Sequence, residues 1–313
     1  MLSDSAELQT LLKRLFPALN VLGIAKPSGQ RVVYFCSLPD LNRETLTLLR
    51  EESALPANVV VKVSSGNDPN AVAYMEKEIK TLNELDSVYF PRLYHHEVVS
   101  EDPATDTKLI ERLFITIEER KDARPLTECI EAFSSERDVI ELMHSLLGGL
   151  SVLWNHPGRL VHRDLKPDNI LISPERAIYI IDLGILRETG AAGVTATHAP
   201  YGPMTVLYTS PEQAKNDKRN ISFKSDCFSL ATIAYELLAK KNPYVINDDE
   251  SFGGVYNAVI SHSPVRLDRI AQCSTSFATL IEQMMQKEPY KRHRTIEALQ
   301  TDLAQIRERM NEY

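Results

Sequence analysis

Residues 162–173 read HRDLKPDNILIS, and they hold three chemically useful side chains in one short polar run. Asp164 offers a carboxylate, Lys166 a cation two residues on, and Asn169 an amide five residues on. Apolar segments bracket the run, GRLV before it and ILI after it. Transfer of a phosphoryl group asks little covalent chemistry of a protein. It needs a base beside the attacking hydroxyl, positive charge against the moving phosphate, and an oxygen ligand for a metal ion. Asp164, Lys166 and Asn169 supply those three requirements. The alternative reading of such a run is a solvated surface loop, so the rest of the chain has to decide between them.

The elements available to position these residues fall into two groups. RVVYFCSL (31–38) and NVVVKV (58–63) are rich in β-branched and aromatic residues and read as strands, as does LFITIEER (113–120). AVAYMEKEIKTLNEL (71–85) repeats its apolar residues Met75, Ile79, Leu82 and Leu85 at helical spacing, and LNRETLTLLREES (41–53) suggests a helical insertion. From about residue 126 the pattern turns helical. FSLATIAYELLAKKNPY (228–244) is apolar almost all round and predicts a buried helix. TIEALQTDLAQIRERMNEY (295–313) carries one stripe of Ile296, Leu299, Leu303, Ile306 and Met310.

Composition narrows the class. The chain has 313 residues, 43% hydrophobic and 25% charged, with a formal net charge of −8, as expected of a globular enzyme and without the basic excess of a nucleic-acid-binding protein. No apolar run approaches the ~20 residues that span a bilayer. The N-terminus, MLSDSAELQTLLKRLF, lacks the layout of a secretory leader. Cys36, Cys129, Cys227 and Cys273 are scattered without a C-x-x-C pair. They predict reduced thiols and a cytoplasmic protein, while the acidic charge and the lack of a long apolar run predict no nucleic acid or membrane as partner.

With these elements in place, the motifs along the chain resemble those of eukaryotic-type (Hanks-type) Ser/Thr protein kinases, most like the bacterial ones, and they follow the family's order. Residues 162–169 are similar to the catalytic loop H-R-D-L-x-x-x-N. Val60-Val61-Lys62 resembles the V-A-I-K strand, and Glu78, sixteen residues on, resembles the helix-borne partner of that lysine. Ile181-Asp182-Leu183-Gly184 resembles D-F-G with Leu for Phe, and Ser210-Pro211-Glu212 resembles A-P-E with Ser for Ala.

The resemblance implies an α+β, bilobal protein-kinase-like fold as a single domain over 1–313. It has a small β-rich N-lobe with one main helix (about 15–120, with an insertion near 38–57) and a larger α-helical C-lobe (about 121–313). It implies ATP and Mg²⁺ as cofactors and a protein substrate. Asp164, Lys166 and Thr205 would be catalytic, and Lys62, oriented by Glu78, would hold the nucleotide phosphates. Asn169 and Asp182 would hold the metal. Glu212 would pair with Arg292, and Asp226 would cap the catalytic loop. Lys166 with Thr205 follows the Ser/Thr pattern. Arg163 with Thr195 and Thr197 implies control by autophosphorylation.

The glycine-rich loop departs from the family. If Val33 takes the valine position, Lys26, Ser28 and Arg31 stand where glycines are expected, leaving Gly29 inside the turn and Gly23 upstream. Glycine serves there because main-chain amides must come close to phosphate. The departure predicts a nucleotide site using the side chains of Lys26, Ser28 and Arg31 beside Gly29. It also supports the alternative of a pseudokinase scaffold.

Overall fold

The computed structural model describes residues 5–25, 31–38, 57–66, 69–183, 187–188 and 206–311. The chain separates into two units, Met1–Lys121 and Asp122–Tyr313. The first is built on β-structure and the second on helices, the α+β division expected of a bilobal kinase-like fold.

In the first unit, α1 (Ser5–Leu15) precedes β1 (Asn20–Ile24), β2 (Arg31–Ser37) and β3 (Asn58–Ser65). Helix α2 (Pro69–Glu84) follows, then β4 (Leu93–Asp102) and β5 (Thr107–Glu119). The five strands form one antiparallel sheet in the order β1-β2-β3-β5-β4. Alternation along a strand sends successive side chains to opposite faces. Val59, Val61 and Val63 therefore enter the core with Ile115 and Ile117, while Lys62 faces the other way, opposite Thr116. A one-residue slip would bury the lysine in that core.

Helix α1 adds a second helix to the one main helix expected. Its Leu8, Leu11 and Leu12, at i, i+3, i+4 spacing, bury against the sheet in the same core as Tyr34 and Cys36. The expected strand at 113–120 is longer, Thr107–Glu119, because it continues through a hairpin with β4. The anticipated helical insertion at 41–53 lies outside the described residues.

The second unit opens with β6 (Arg124–Pro125) and the long helix α3 (Glu136–Trp154), whose N-cap Ser135 accepts the Asp138 N–H. The short strands β7 (Leu160–Val161), β8 (Ile170–Ile172), β9 (Ile178–Ile180) and β10 (Arg187–Glu188) pair as β10-β7 and β6-β8-β9. Helices α4 (Pro211–Ala214), α5 (Phe223–Ala239), α6 (Phe252–Ser261), α7 (Thr275–Met284) and α8 (Ile296–Asn311) complete it.

Helix α5 is buried along nearly its whole length, as its apolar sequence predicts. It stops at Ala239, short of the expected residue 244, because Lys240 turns left-handed (φ 58°) and Pro243 follows. Helix α8 buries Leu299, Leu303 and Ile306 of its predicted stripe. All four cysteines are free thiols. Among the described residues, no helix is long and apolar enough to cross a membrane.

Candidate active site

The site in the helical unit is assembled on Asp226. This residue sits in the first turn of α5, wholly buried, and its carboxylate receives three N–H groups. Oδ2 accepts the indole N–H of Trp154, at the end of α3, and the main-chain N–H of His162, both at 2.9 Å; Oδ1 accepts the main-chain N–H of Arg163 at 2.9 Å. Burial pushes the Asp226 carboxyl up, while His162 and these donors pull it down. Buried N–H groups need acceptors, so this one carboxylate fixes the loop where it leaves β7.

Arg163 takes a left-handed backbone (φ 70°), and its carbonyl accepts the Gln213 amide at 2.8 Å. A bulky residue with positive φ is held only where its surroundings over-determine it. The bonds from Asp226 and Gln213 supply that restraint. The His162 ring continues the scaffold: Nδ1 accepts the Asp164 N–H (3.3 Å), which leaves Nε2–H to donate to the Ile181 carbonyl (3.1 Å).

The chemical groups lie on this frame. Lys166 Nζ is 2.7 Å from Asp164 Oδ2. Asn169 Nδ2 donates to the Asp164 carbonyl (2.8 Å) and to Oδ2 (3.1 Å), so its amide oxygen points away from Asp164. The Ile181 N–H bonds the Asn169 carbonyl (3.0 Å), and Asp182 follows with a left-handed backbone (φ 65°). Burial raises the Asp164 carboxyl above the usual carboxylate range; Lys166 opposes that rise and Asp182 adds to it. A carboxylate tuned upward beside a cation suits proton transfer. The amide oxygen of Asn169 and the carboxylate of Asp182 are hard oxygen donors of the kind Mg²⁺ prefers.

Glu212, in α4, meets Arg292 in a two-pronged ion pair, Oε1 to Nη1 at 2.8 Å and Oε2 to Nη2 at 2.9 Å. Ser225 Oγ also donates to Glu212 (2.6 Å), and Arg292 reaches the carbonyls of Lys224 and Gln286. Both charged side chains are buried, 1% and 3% exposed.

In the β-rich unit, Lys62 forms an ion pair at 2.6 Å with Glu118 of β5. Glu78 lies in α2, but its side chain is outside the described residues, as are Lys26, Ser28, Gly29, Thr195, Thr197 and Thr205. Arg31, the third residue at an expected glycine position, donates its Nε–H to Ser64 Oγ (3.1 Å) on the next strand. The structure thus brings together Asp164, Lys166 and Asn169, with Asp226 beneath them, and joins Glu212 to Arg292.

Sequence reasoning did not single out Trp154, Gln213, Ser225 or Glu118. Gln213 directly follows the S-P-E motif and Ser225 precedes Asp226, so proximity was the available signal. Glu118 carried no such signal, since it opens the charged run Glu118-Glu119-Arg120 at the strand's end.

The family described as Protein kinase domain matches residues 55–304, and the chain belongs to that family. It is 34% identical over 148 residues to serine/threonine-protein kinase PknL of Mycobacterium tuberculosis, covering 44% of this chain and 35% of the relative. It is 30% identical over 174 residues to serine/threonine-protein kinase PknB of Mycolicibacterium smegmatis, covering 55% and 27%. To the probable serine/threonine-protein kinase PknB of Bifidobacterium longum it is 24% identical over 248 residues, covering 78% and 34%. The matched segments are about a third of these relatives' lengths.

Proposed function

We propose that this chain is an ATP- and Mg²⁺-dependent protein kinase that phosphorylates Ser and Thr hydroxyls, and that it works in the cytoplasm. The observation that carries the proposal is the cluster in which Asp164 Oδ2 meets Lys166 Nζ at 2.7 Å and the Asn169 amide at 3.1 Å. Asp164 would accept the proton of the attacking hydroxyl. The hydroxyl oxygen then bonds to the γ-phosphorus as the bond to the bridging oxygen breaks, and ADP leaves with that electron pair. Lys166 would shift from Asp164 toward the transferring phosphoryl oxygens and stabilise their charge.

The metal, when bound, neutralises charge on the nucleotide phosphates, and the donor set of Asn169 and Asp182 fits it. Lys62 would hold the α- and β-phosphates, with Glu78 as its helix-borne partner. Lys26, Ser28 and Gly29 would line the phosphate side. Thr205 would contact Asp164 and Lys166. Autophosphorylation at Thr195 and Thr197 would order the segment against Arg163, since each phosphate adds about −1.5 to −2 charge.

The test is transfer of labelled γ-phosphate to a generic Ser/Thr acceptor. Asp164→Ala should lower the rate by about 10²–10⁴-fold, the usual contribution of a general base. Wild-type turnover in that variant, or no transfer by the unaltered chain, would overturn the proposal.

A further inference from the structure

Glu118 stands outside every motif described above, yet it holds the lysine on which the nucleotide site depends. Lys62 and Glu118 are side by side in the sheet: Lys62 of β3 pairs with Thr116 of β5, and Glu118 pairs with Val60. This diagonal register puts both charged side chains on one face. The Nζ–Oε2 distance is 2.6 Å, with the side chains 13% and 3% exposed. The second carboxylate oxygen is also engaged, accepting Thr116 Oγ1–H at 2.8 Å. A carboxylate so deeply placed is a designed counter-charge, because burying it unpaired would cost several kcal/mol.

We propose that Glu118 is a positioning residue that anchors Lys62 and weakens its hold on nucleotide phosphate, so that it sets the affinity for ATP; this rests on the kinase reading above. An ammonium group has three N–H donors, and Glu118 engages one of them. The lysine is thereby held before nucleotide arrives, while its field at an incoming phosphate is reduced by the adjacent negative charge.

Arg31 supplies compensation. It pairs with Ser64 in β3, on the same face as Lys62, and lines one small cavity with Lys62, Ser64, Thr116, Met75 and Ile79. A second cation therefore stands where the family has glycine, beside a lysine that shares its charge with a carboxylate.

Glu118→Gln keeps the shape and an acceptor oxygen for Lys62 but removes the charge. It should lower the KM for ATP roughly fivefold and leave kcat within about twofold. Without its ionic partner the Lys62 side chain is held less firmly against the sheet and meets reagent more often. Acylation of Lys62 by an amine-reactive ester at pH 8, without nucleotide and followed by peptide mass spectrometry, should therefore be faster in the variant. In the unaltered chain Lys62 should label more slowly than Lys80, which is 75% exposed.

An unchanged KM together with an unchanged labelling rate in Glu118→Gln overturns the proposal. If the variant does not fold, labelling of Lys62 as fast as Lys80 in the unaltered chain overturns it instead. Loss of phosphotransfer in the unaltered chain, with labelling still sensitive to Glu118, would refute the kinase reading and retain the ion pair as anchor alone.

Discussion

The two units hold a buried charge in opposite ways. In the helical unit the Asp226 carboxylate is served by N–H groups from Trp154, His162 and Arg163, drawn from the end of α3 and the loop after β7. In the β-rich unit Lys62 is tied to a carboxylate on the neighbouring strand. N–H donors of the main chain cannot exchange partners without moving the backbone, so the first arrangement fixes geometry. A lysine at the end of a flexible stem can turn one donor to a new anion while keeping another, so the second arrangement leaves affinity adjustable. The loop over Asp226 is architecture, whereas Lys62 is an adjustable contact.

The largest effect should come from the ion pair that behaves as architecture. Arg292→Met strands the buried Glu212 without its two-pronged partner and should cost about 3–5 kcal/mol in urea unfolding. A loss well under that range would place this pair with the adjustable contacts and break the division drawn above.

Asp226→Asn comes next. One oxygen becomes an NH₂ group facing an N–H donor, whichever way the amide turns. The expected loss is about 2–3 kcal/mol, with phosphotransfer falling as the loop loosens. Full stability in this variant would mean that the donors find other acceptors and that the loop is not held by Asp226.

The smallest effect sharpens the comparison within the loop. As the base proposed above, Asp164 would work only when ionised, so activity should fall as pH drops through its raised pKa. Lys166 opposes that rise, and its removal should lift the pKa further. In Lys166→Met the acid limb of the kcat/KM profile should therefore move to higher pH. An unmoved limb would show that Lys166 acts on the phosphoryl group alone.

Much of this was legible because the chemistry is locally encoded. Strands at 31–38 and 58–63 and the helix at 71–85 appear within a few residues of their expected bounds, the strands carried by β-branched and aromatic residues and the helix by its apolar period. The apolar residues of α1 also recur at helical spacing, but only the structure shows the sheet they cover. The halt of α5 at Lys240 was signalled by Pro243, three residues on, though the apolar run continues to Tyr244.

Sequence alone determined that Asp164, Lys166 and Asn169 lie within reach of one another, because they fall within six residues. It also determined the order of the motifs that marked the family. Only tertiary structure decided what holds them. His162 is 64 positions from Asp226, and Glu212 is 80 from Arg292. Contacts at that separation exist only after helices and strands have packed. The pairing of Lys62 with Glu118 depends further on strand register, and a shift of one residue would turn Glu118 to the opposite face of the sheet and end it.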